Sequence, residues 1–297
     1  MARDWEQQFR LWASPPGKTE EERCKNAVSA IRNAIRASNK LNTRNIRVFT
    51  QGSYRNRTNV RKDSDVDVGI VCTDVFFEDL PQGKSKADYS FSDSNYLYKQ
   101  FKNEVGEALV SYFGEKAVDR SNKAFDVHET SYHVDADVAA FFQHRRYSSL
   151  SHYLEGIELR PDDNGSKRII NWPEQHYDNG VSKNTLTGKR YKAIARVLKS
   201  LSNEMATQGI AEADIPGFLI ECLVWNVPNS AFQNLKYVDD VKQALFFLFE
   251  NTKDIASCRE WGEVSELKYL FSSSQKWTCH QANAFTIAAW NYAELGG

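Results

Sequence analysis

Three aspartates have the residue type and the spacing that metal-assisted phosphoryl transfer requires. Asp65 and Asp67 lie two positions apart in the alternating segment DVDVGIVC, and Asp137 lies in a second strand-like segment, HVDADVAAFF. Strand side chains alternate between the two faces of a sheet, so Asp65 and Asp67 are expected on one face. A neighbouring strand can place Asp137 beside them. Such carboxylates bind the divalent cations that neutralise charge on a transferring phosphoryl group. The pattern predicts a catalytic metal site.

A glycine–serine pair lies upstream of these aspartates. Gly52 and Ser53 are separated from Asp65 by eleven residues. A flexible glycine followed by a small hydroxyl residue can present backbone N–H groups to a phosphate. Neither this pair nor the D-x-D pattern is specific alone, but the pair, the spacer and a later strand aspartate together predict transfer of a nucleotide phosphate.

The elements that must position these residues divide the chain into two parts. Helix periodicity over 19–37 is followed by strand patterns at 46–50, 65–72 and 127–142, with a helix at 98–114 between them. The stretch 155–190 is polar and predicts loops, and helical patterns follow at 190–206, 216–226, 237–250 and 278–294. This order predicts an α+β fold. A mixed-sheet catalytic lobe over residues 1–160 would precede a mostly helical lobe over 161–297, with the active site in the cleft between them.

Composition narrows the class of protein. The 297 residues carry a net charge of −1, without the basic surplus typical of proteins that hold long nucleic acid by its backbone. Apolar runs such as 244–249 are too short to cross a bilayer, and no signal peptide is evident, so we expect no membrane partner. The five scattered cysteines predict reduced, mostly buried thiols in a cytoplasmic protein.

The composite pattern resembles the DNA polymerase beta-like nucleotidyltransferase superfamily. Five segments carry a narrower likeness to the bacterial cGAS/DncV-like nucleotidyltransferases, closest to their clade E, CdnE: QGSYRNRTNVRKDSDVDVGIV, VHETSYHVDADVAAFFQHRRY, IINWPEQHYDNGVSKN, YKAIARVLKSL and FLIECLVWNVP. The resemblance implies a monomeric enzyme of antiphage (CBASS) defence in the bacterial cytoplasm. It would use two Mg²⁺ ions, which Mn²⁺ could replace, to make a cyclic oligonucleotide that activates an effector protein.

The resemblance also implies roles for individual residues. Gly52 and Ser53, with Gln51 as a weaker candidate, would hold the triphosphate. Asp65 and Asp67 would bind both metals, while Asp137 would help to bind one and activate the attacking ribose hydroxyl. Asp135 lies on the same predicted face as Asp137. The family pattern of a small residue before the aspartate and an apolar one after it fits Asp137 better.

Two further segments bear on substrate binding. In the predicted helix YKAIARVLKSL, Ile194, Val197, Leu198 and Leu201 form an apolar stripe, and Lys192, Arg196 and Lys199 form a basic one. A basic stripe is ordinarily a solvated face, but the resemblance implies that Lys199 contacts the triphosphate. The resemblance also leads us to expect a serine near the position of Gly217 as a further phosphate ligand. This chain has no serine there.

Asn171 bears on the choice of base. Its amide both donates and accepts hydrogen bonds, so it can recognise uracil, although an asparagine before Trp172-Pro173 is more ordinarily a turn residue. The matching asparagine of clade E goes with pyrimidine use. We therefore predict UTP and ATP as substrates and cyclic UMP-AMP or cyclic di-UMP as the product.

Other readings share some of these features. The same metal site could make a cyclic trinucleotide or a linear oligonucleotide, or place a nucleotidyl group on another molecule. A catalytically inactive nucleotide-binding module is disfavoured because all three aspartates and the Gly52-Ser53 pair are present. A nucleic-acid-binding protein is disfavoured by the net charge, although local basic clusters such as Arg145-Arg146 leave room for it. We expect no obligatory nucleic acid.

Overall fold

The computed structural model describes residues 3–15, 17–60, 65–128 and 135–296. Its helices are α1 (Trp5–Ala13), α2 (Lys18–Ala37), α3 (Gly52–Asn56), α4 (Tyr98–Phe113), α5 (Pro173–Leu186), α6 (Arg190–Thr207), α7 (Gly217–Asn226), α8 (Tyr237–Thr252), α9 (Ile255–Cys258) and α10 (Cys279–Tyr292). Its strands are β1 (Ile46–Thr50), β2 (Val66–Asp79), β3 (Val118–Arg120), β4 (Phe125–Val127), β5 (Ala136–Tyr147), β6 (Tyr153–Leu159) and β7 (Ile169–Asn171).

Across the described residues the strands form one mixed sheet. The order along its main path is β1-β2-β5-β4-β3, while β6 pairs with β5 and β7 pairs with β6. Strands β2 and β5 are parallel, whereas β4 and β6 are both antiparallel to β5. The sheet followed by a mostly helical region confirms the predicted α+β fold class.

The chain divides into two compact units, and each has its own core. A sheet unit contains Gly17–Tyr54 and Ser64–Pro173. Its core includes one face of α2, with Cys24, Val28, Ile31 and Ile35 all buried. A helical unit contains Met1–Pro16, Arg55–Asp63 and Glu174–Gly297. There the apolar stripe of α6 is fully buried. Each unit is therefore built from separate stretches of the chain. Their boundaries differ from the predicted division of the chain into two lobes at residue 160.

Two local predictions need correction. The stretch 155–190 is not a loop, because β6, β7 and α5 occupy most of it. The strand expected over 127–142 is two elements instead: β4 ends at Val127, and β5 begins at Ala136 and continues to Tyr147. Residues 129–134 lie outside the described part of the chain.

The structure shows the state of the cysteines and the character of the helices. All five cysteines are free and buried, as predicted. The Sγ atoms of Cys258 and Cys279 lie only 3.0 Å apart. In the described part of the chain, every helix is too short or too polar to be a candidate for crossing a membrane.

Candidate active site

The sheet brings the predicted aspartates into one row. Asp67 of β2 pairs with Asp137 of the parallel strand β5. Residues paired across adjacent strands point to the same face, so the two carboxylates are neighbours. The backbone N–H of Val66 donates to the carbonyl oxygen of Asp135 at 3.0 Å, which extends the ladder to the level of Asp65. Register alone therefore aligns the predicted metal-binding residues.

Asp126 is an acidic neighbour that the sequence analysis missed. It lies in β4 directly opposite Asp137. Partial burial raises the pKa of Asp137 to about 6, together with the charge and hydrogen bond of Asp126 and the charges of Asp65 and Asp135. Such mutual repulsion is what a bound cation relieves, so the oxygen donors suit a hard divalent ion.

The carboxylates are not yet converged on a common point. Among the described residues, no group of three or more His, Cys, Asp or Glu side chains is close enough to hold a metal ion. Residue type and register support metal binding here, and the side chains would have to turn towards an ion.

The turn after β1 packs directly against the metal-binding strand. The backbone N–H of Gln51 donates to the carbonyl oxygen of Asp67 at 2.9 Å. Gly52 follows with φ +64°, and a Cβ built there would lie 2.7 Å from Asp67 Cγ and closer still to Oδ2. Ser53 continues into the first turn of α3. Any side chain at this position would therefore displace the Asp67 carboxylate, and the predicted phosphate-binding pair adjoins a predicted metal ligand.

The basic stripe of α6 is buried, contrary to the ordinary expectation of a solvated face. Lys192, Arg196 and Lys199 are all less than 10% exposed. The Arg196 guanidinium donates to the carbonyl oxygens of Ala13 and Arg57, and burial lowers its pKa to about 10. Arg196 thus anchors two backbone segments of the helical unit.

Lys199 and Lys192 have different partners. The Lys199 ammonium donates to Glu221 Oε2 at 2.9 Å and to Thr58 Oγ1 at 3.3 Å. The Lys192 ammonium lies 5.5 Å from the centroid of the Tyr177 ring, and burial lowers its pKa. Among the described residues, neither of these ammonium groups donates to a backbone carbonyl, in contrast to the Arg196 guanidinium.

Asn171 ends β7, where its backbone is firmly held. It pairs with Ile157 of β6, and its side chain is half-buried. The next residue, Trp172, packs so closely on Gly156 that a Cβ there would lie 2.7 Å from the indole ring. The guanidinium of Arg146 covers the same indole, 4.5 Å from its centroid. The position of Asn171 is therefore set by its pairing with β6 and by the packing of the neighbouring Trp172.

A large cavity lies elsewhere in the sheet unit. Its volume is about 1340 Å³, and it is lined by the second half of β2, including Phe76 and Phe77, and by residues 90–99. Asp67 is ten residues from Phe77, and a strand rises about 3.3 Å per residue, so the cavity is remote from the aspartate row. Chemistry and register, rather than cavity size, identify the candidate site.

Comparison with known proteins identifies the family of the chain. Residues 178–294 match the cGAS/DncV-like nucleotidyltransferase C-terminal helical domain. The chain is 40% identical, over 99% of its length and all of the relative's, to the cyclic dipyrimidine nucleotide synthase CdnE of Cecembia lonarensis. Among solved structures, the CdnE c-UMP-AMP synthase of Rhodothermus marinus, with Apcpp and Upnpp, has a TM-score of 0.86 at 29% identity and covers 98% of this chain and 97% of that one. The Elizabethkingia meningoseptica CdnE cyclic dinucleotide synthase, with GTP and Apcpp, has a TM-score of 0.80 at 35% identity and covers 97% and 98%.

These likenesses span almost the whole chain. The protein belongs to the cGAS/DncV-like nucleotidyltransferases, in clade E, the CdnE enzymes. A nucleotidyltransferase of this family needs divalent metal ions, and the oxygen-rich aspartate row suits that need.

Proposed function

We propose that this chain joins two ribonucleoside triphosphates into a cyclic dinucleotide that contains uridine, with release of pyrophosphate. The observation that carries the proposal is the register of Asp67 with Asp137, with Asp65 two positions away. The Gly52 turn against the Asp67 carboxylate supports a phosphate beside it. Whole-length similarity to named cyclic nucleotide synthases supports the reaction class.

In the proposed reaction, two Mg²⁺ ions, replaceable by Mn²⁺, supply charge neutralisation on the triphosphate and at the attacking hydroxyl. Asp65 and Asp67 would hold both ions, and Asp137 would help to hold one of them. Asp137 holds the acceptor ribose hydroxyl in line and accepts its proton. The N–H groups of the Gly52-Ser53 turn and the Lys199 ammonium bind phosphate oxygens.

The base preference rests on Asn171. Its amide can pair with O4 and N3–H of uracil, and its fixed backbone makes that contact selective. The Cecembia lonarensis relative is named for a dipyrimidine product and the Rhodothermus marinus structure for c-UMP-AMP, which supports UTP as one substrate and ATP as a second. The Elizabethkingia meningoseptica structure contains GTP, so the base preference needs its own test.

The test is product analysis by mass spectrometry after incubation with Mg²⁺ and all four ribonucleoside triphosphates. The wild-type protein should form a phosphatase-resistant product containing UMP, and Asp65→Asn/Asp67→Asn should form none. Asp137→Asn should be equally inactive, whereas the matched control Asp135→Asn should keep most of the activity. Product from the double variant would reject the metal site, and a trinucleotide or purine-only product would keep the class and reject the stated product.

We also propose the setting in which the product acts. On the family likeness, the chain would act as a monomer in the bacterial cytoplasm, and its cyclic dinucleotide would be a diffusible second messenger that activates an effector protein in antiphage defence. Gel filtration coupled to light scattering tests the monomer.

A further inference from the structure

A buried ion pair joins two helices of the helical unit. Glu221 of α7 is 3% exposed and Lys199 of α6 is 4% exposed, and their charged atoms lie 2.9 Å apart. Two buried charges are costly to desolvate, so a pair without a function is often replaceable by apolar residues. This ion pair, however, includes Lys199, the lysine that we propose binds the triphosphate.

Both oxygens of the Glu221 carboxylate are held in place. Oε1 lies 2.9 Å from His176 Nε2, and Oε2 accepts from Thr58 Oγ1 as well as from Lys199. Burial alone would raise the pKa of Glu221, but Lys199, His176 and Thr58 outweigh it and hold that pKa well below its ordinary value. The carboxylate is therefore an anion fixed from α5, from α6 and from the segment that contains Thr58.

The Lys199 ammonium keeps one donor for another ligand. An ammonium group has three N–H donors. In the described part of the chain, Lys199 donates to Glu221 and Thr58, which uses two of them. Gly217, the first residue of α7, adds no side chain here, and a Cβ on it would come no nearer than 3.6 Å to the Lys199 stem. A phosphate oxygen could therefore be bound without breaking the ion pair.

We propose that Glu221 is a positioning residue for triphosphate binding: it fixes the Lys199 ammonium so that its remaining N–H donor meets a phosphate oxygen. The proposal rests on the proposed function, which gives Lys199 to the triphosphate. Glu221 does not touch the nucleotide in this scheme and acts through Lys199. The ligand recognised is the triphosphate of a ribonucleoside triphosphate, whatever its base.

The experiment compares nucleotide binding by the wild type, Glu221→Gln, Lys199→Met and the double variant, using a non-hydrolysable UTP analogue and calorimetry. Glu221→Gln keeps the shape of the side chain and removes its charge. Lys199→Met should weaken binding by about tenfold or more, because a charge-assisted hydrogen bond is lost. Glu221→Gln should weaken it by about fivefold, and the double variant should bind like Lys199→Met, because Glu221 acts only through that lysine. In turnover assays, Glu221→Gln should raise KM for UTP far more than it lowers kcat.

Asp240 provides a matched control. It is fully buried in the same unit and pairs with Arg190 at 3.4 Å. Asp240→Asn should lower thermal stability without changing nucleotide affinity. If Glu221→Gln fails to fold, Glu221→Asp supplies the same test, because it keeps the charge but withdraws it by one methylene.

The outcomes separate the two proposals. Unchanged affinity in Lys199→Met would remove the assigned role of Lys199 and with it this part of the proposed function. Lost affinity in Lys199→Met with unchanged affinity in Glu221→Gln would overturn the positioning role alone. Effects that add fully in the double variant would also overturn it, because independent effects indicate a purely structural carboxylate.

Discussion

A single methyl group at Gly52 should disable the metal site while leaving the protein folded. The Cβ of Gly52→Ala would lie 2.7 Å from Asp67 Cγ and 3.2 Å from its Cβ, so the Asp67 side chain must move. The φ of +64° adds strain of about 1–2 kcal/mol for a residue with a Cβ. A domain stable by about 5–15 kcal/mol tolerates that strain. A catalytic group displaced by about 1 Å can lose about 100-fold in rate, so activity should fall far more than stability.

Gly188 separates backbone strain from contact with the aspartate. Its φ is +58°, close to that of Gly52, and a Cβ there would meet no atom within 4 Å. Gly188→Ala should therefore lose a similar free energy of unfolding, measured by urea denaturation, and keep its rate of product formation. Equal rates for Gly52→Ala and wild type, or an equal loss in both variants, would refute the reasoning.

Three further predictions concern pH, base choice and phosphate binding. Without metal, the folded protein keeps a proton on Asp137 up to about pH 6, whereas an aspartate in the unfolded chain releases its proton at about pH 3.9. The raised pKa therefore stabilises the folded state fully at low pH, and this contribution is lost as pH rises through 6. Metal competes with that proton, so product formation should fall below pH 6, and a flat rate between pH 5 and 8 would contradict this. Asn171→Ser should lower the UMP content of the product when all four triphosphates compete, and an unchanged composition would remove its role as base reader. A Cβ at position 217 has room beside the aliphatic part of the Lys199 side chain, and Gly217→Ser would supply the hydroxyl expected there as a phosphate ligand. Gly217→Ser should therefore lower KM for UTP roughly threefold, and a higher KM would contradict a phosphate contact at this position.

The aspartate row was predictable because strand geometry is periodic. The alternation in β2 and β5 places Asp65, Asp67 and Asp137 on one face whatever the surroundings, and the structure pairs Asp67 with Asp137. Asp126 was missed because β4 has only three residues, too few to show a period. Its role beside Asp137 follows from strand pairing, which local sequence does not encode.

Other features depended on contacts between distant segments. The polar composition of 155–190 predicted a loop, but the buried residues of α5 include His176 and Lys183, whose partners lie far along the chain. The basic face of α6 is buried because Glu221, in a largely apolar helix, supplies the carboxylate for Lys199. In isolation, the α6 sequence has one apolar and one basic face, and nothing in it indicates that the basic face is also buried.

The paired thiols of Cys258 and Cys279 have a practical consequence for handling the protein. They are both buried, with their Sγ atoms 3.0 Å apart, and they join the short helix α9 to the start of α10. A two-electron oxidation, for example by exchange with a small disulfide, would link them covalently and close a loop over residues 259–278. Such a crosslink commonly stabilises a fold by about 2–4 kcal/mol. Melting temperatures compared between preparations should therefore be measured under one fixed reducing condition, with free thiols counted by mass spectrometry.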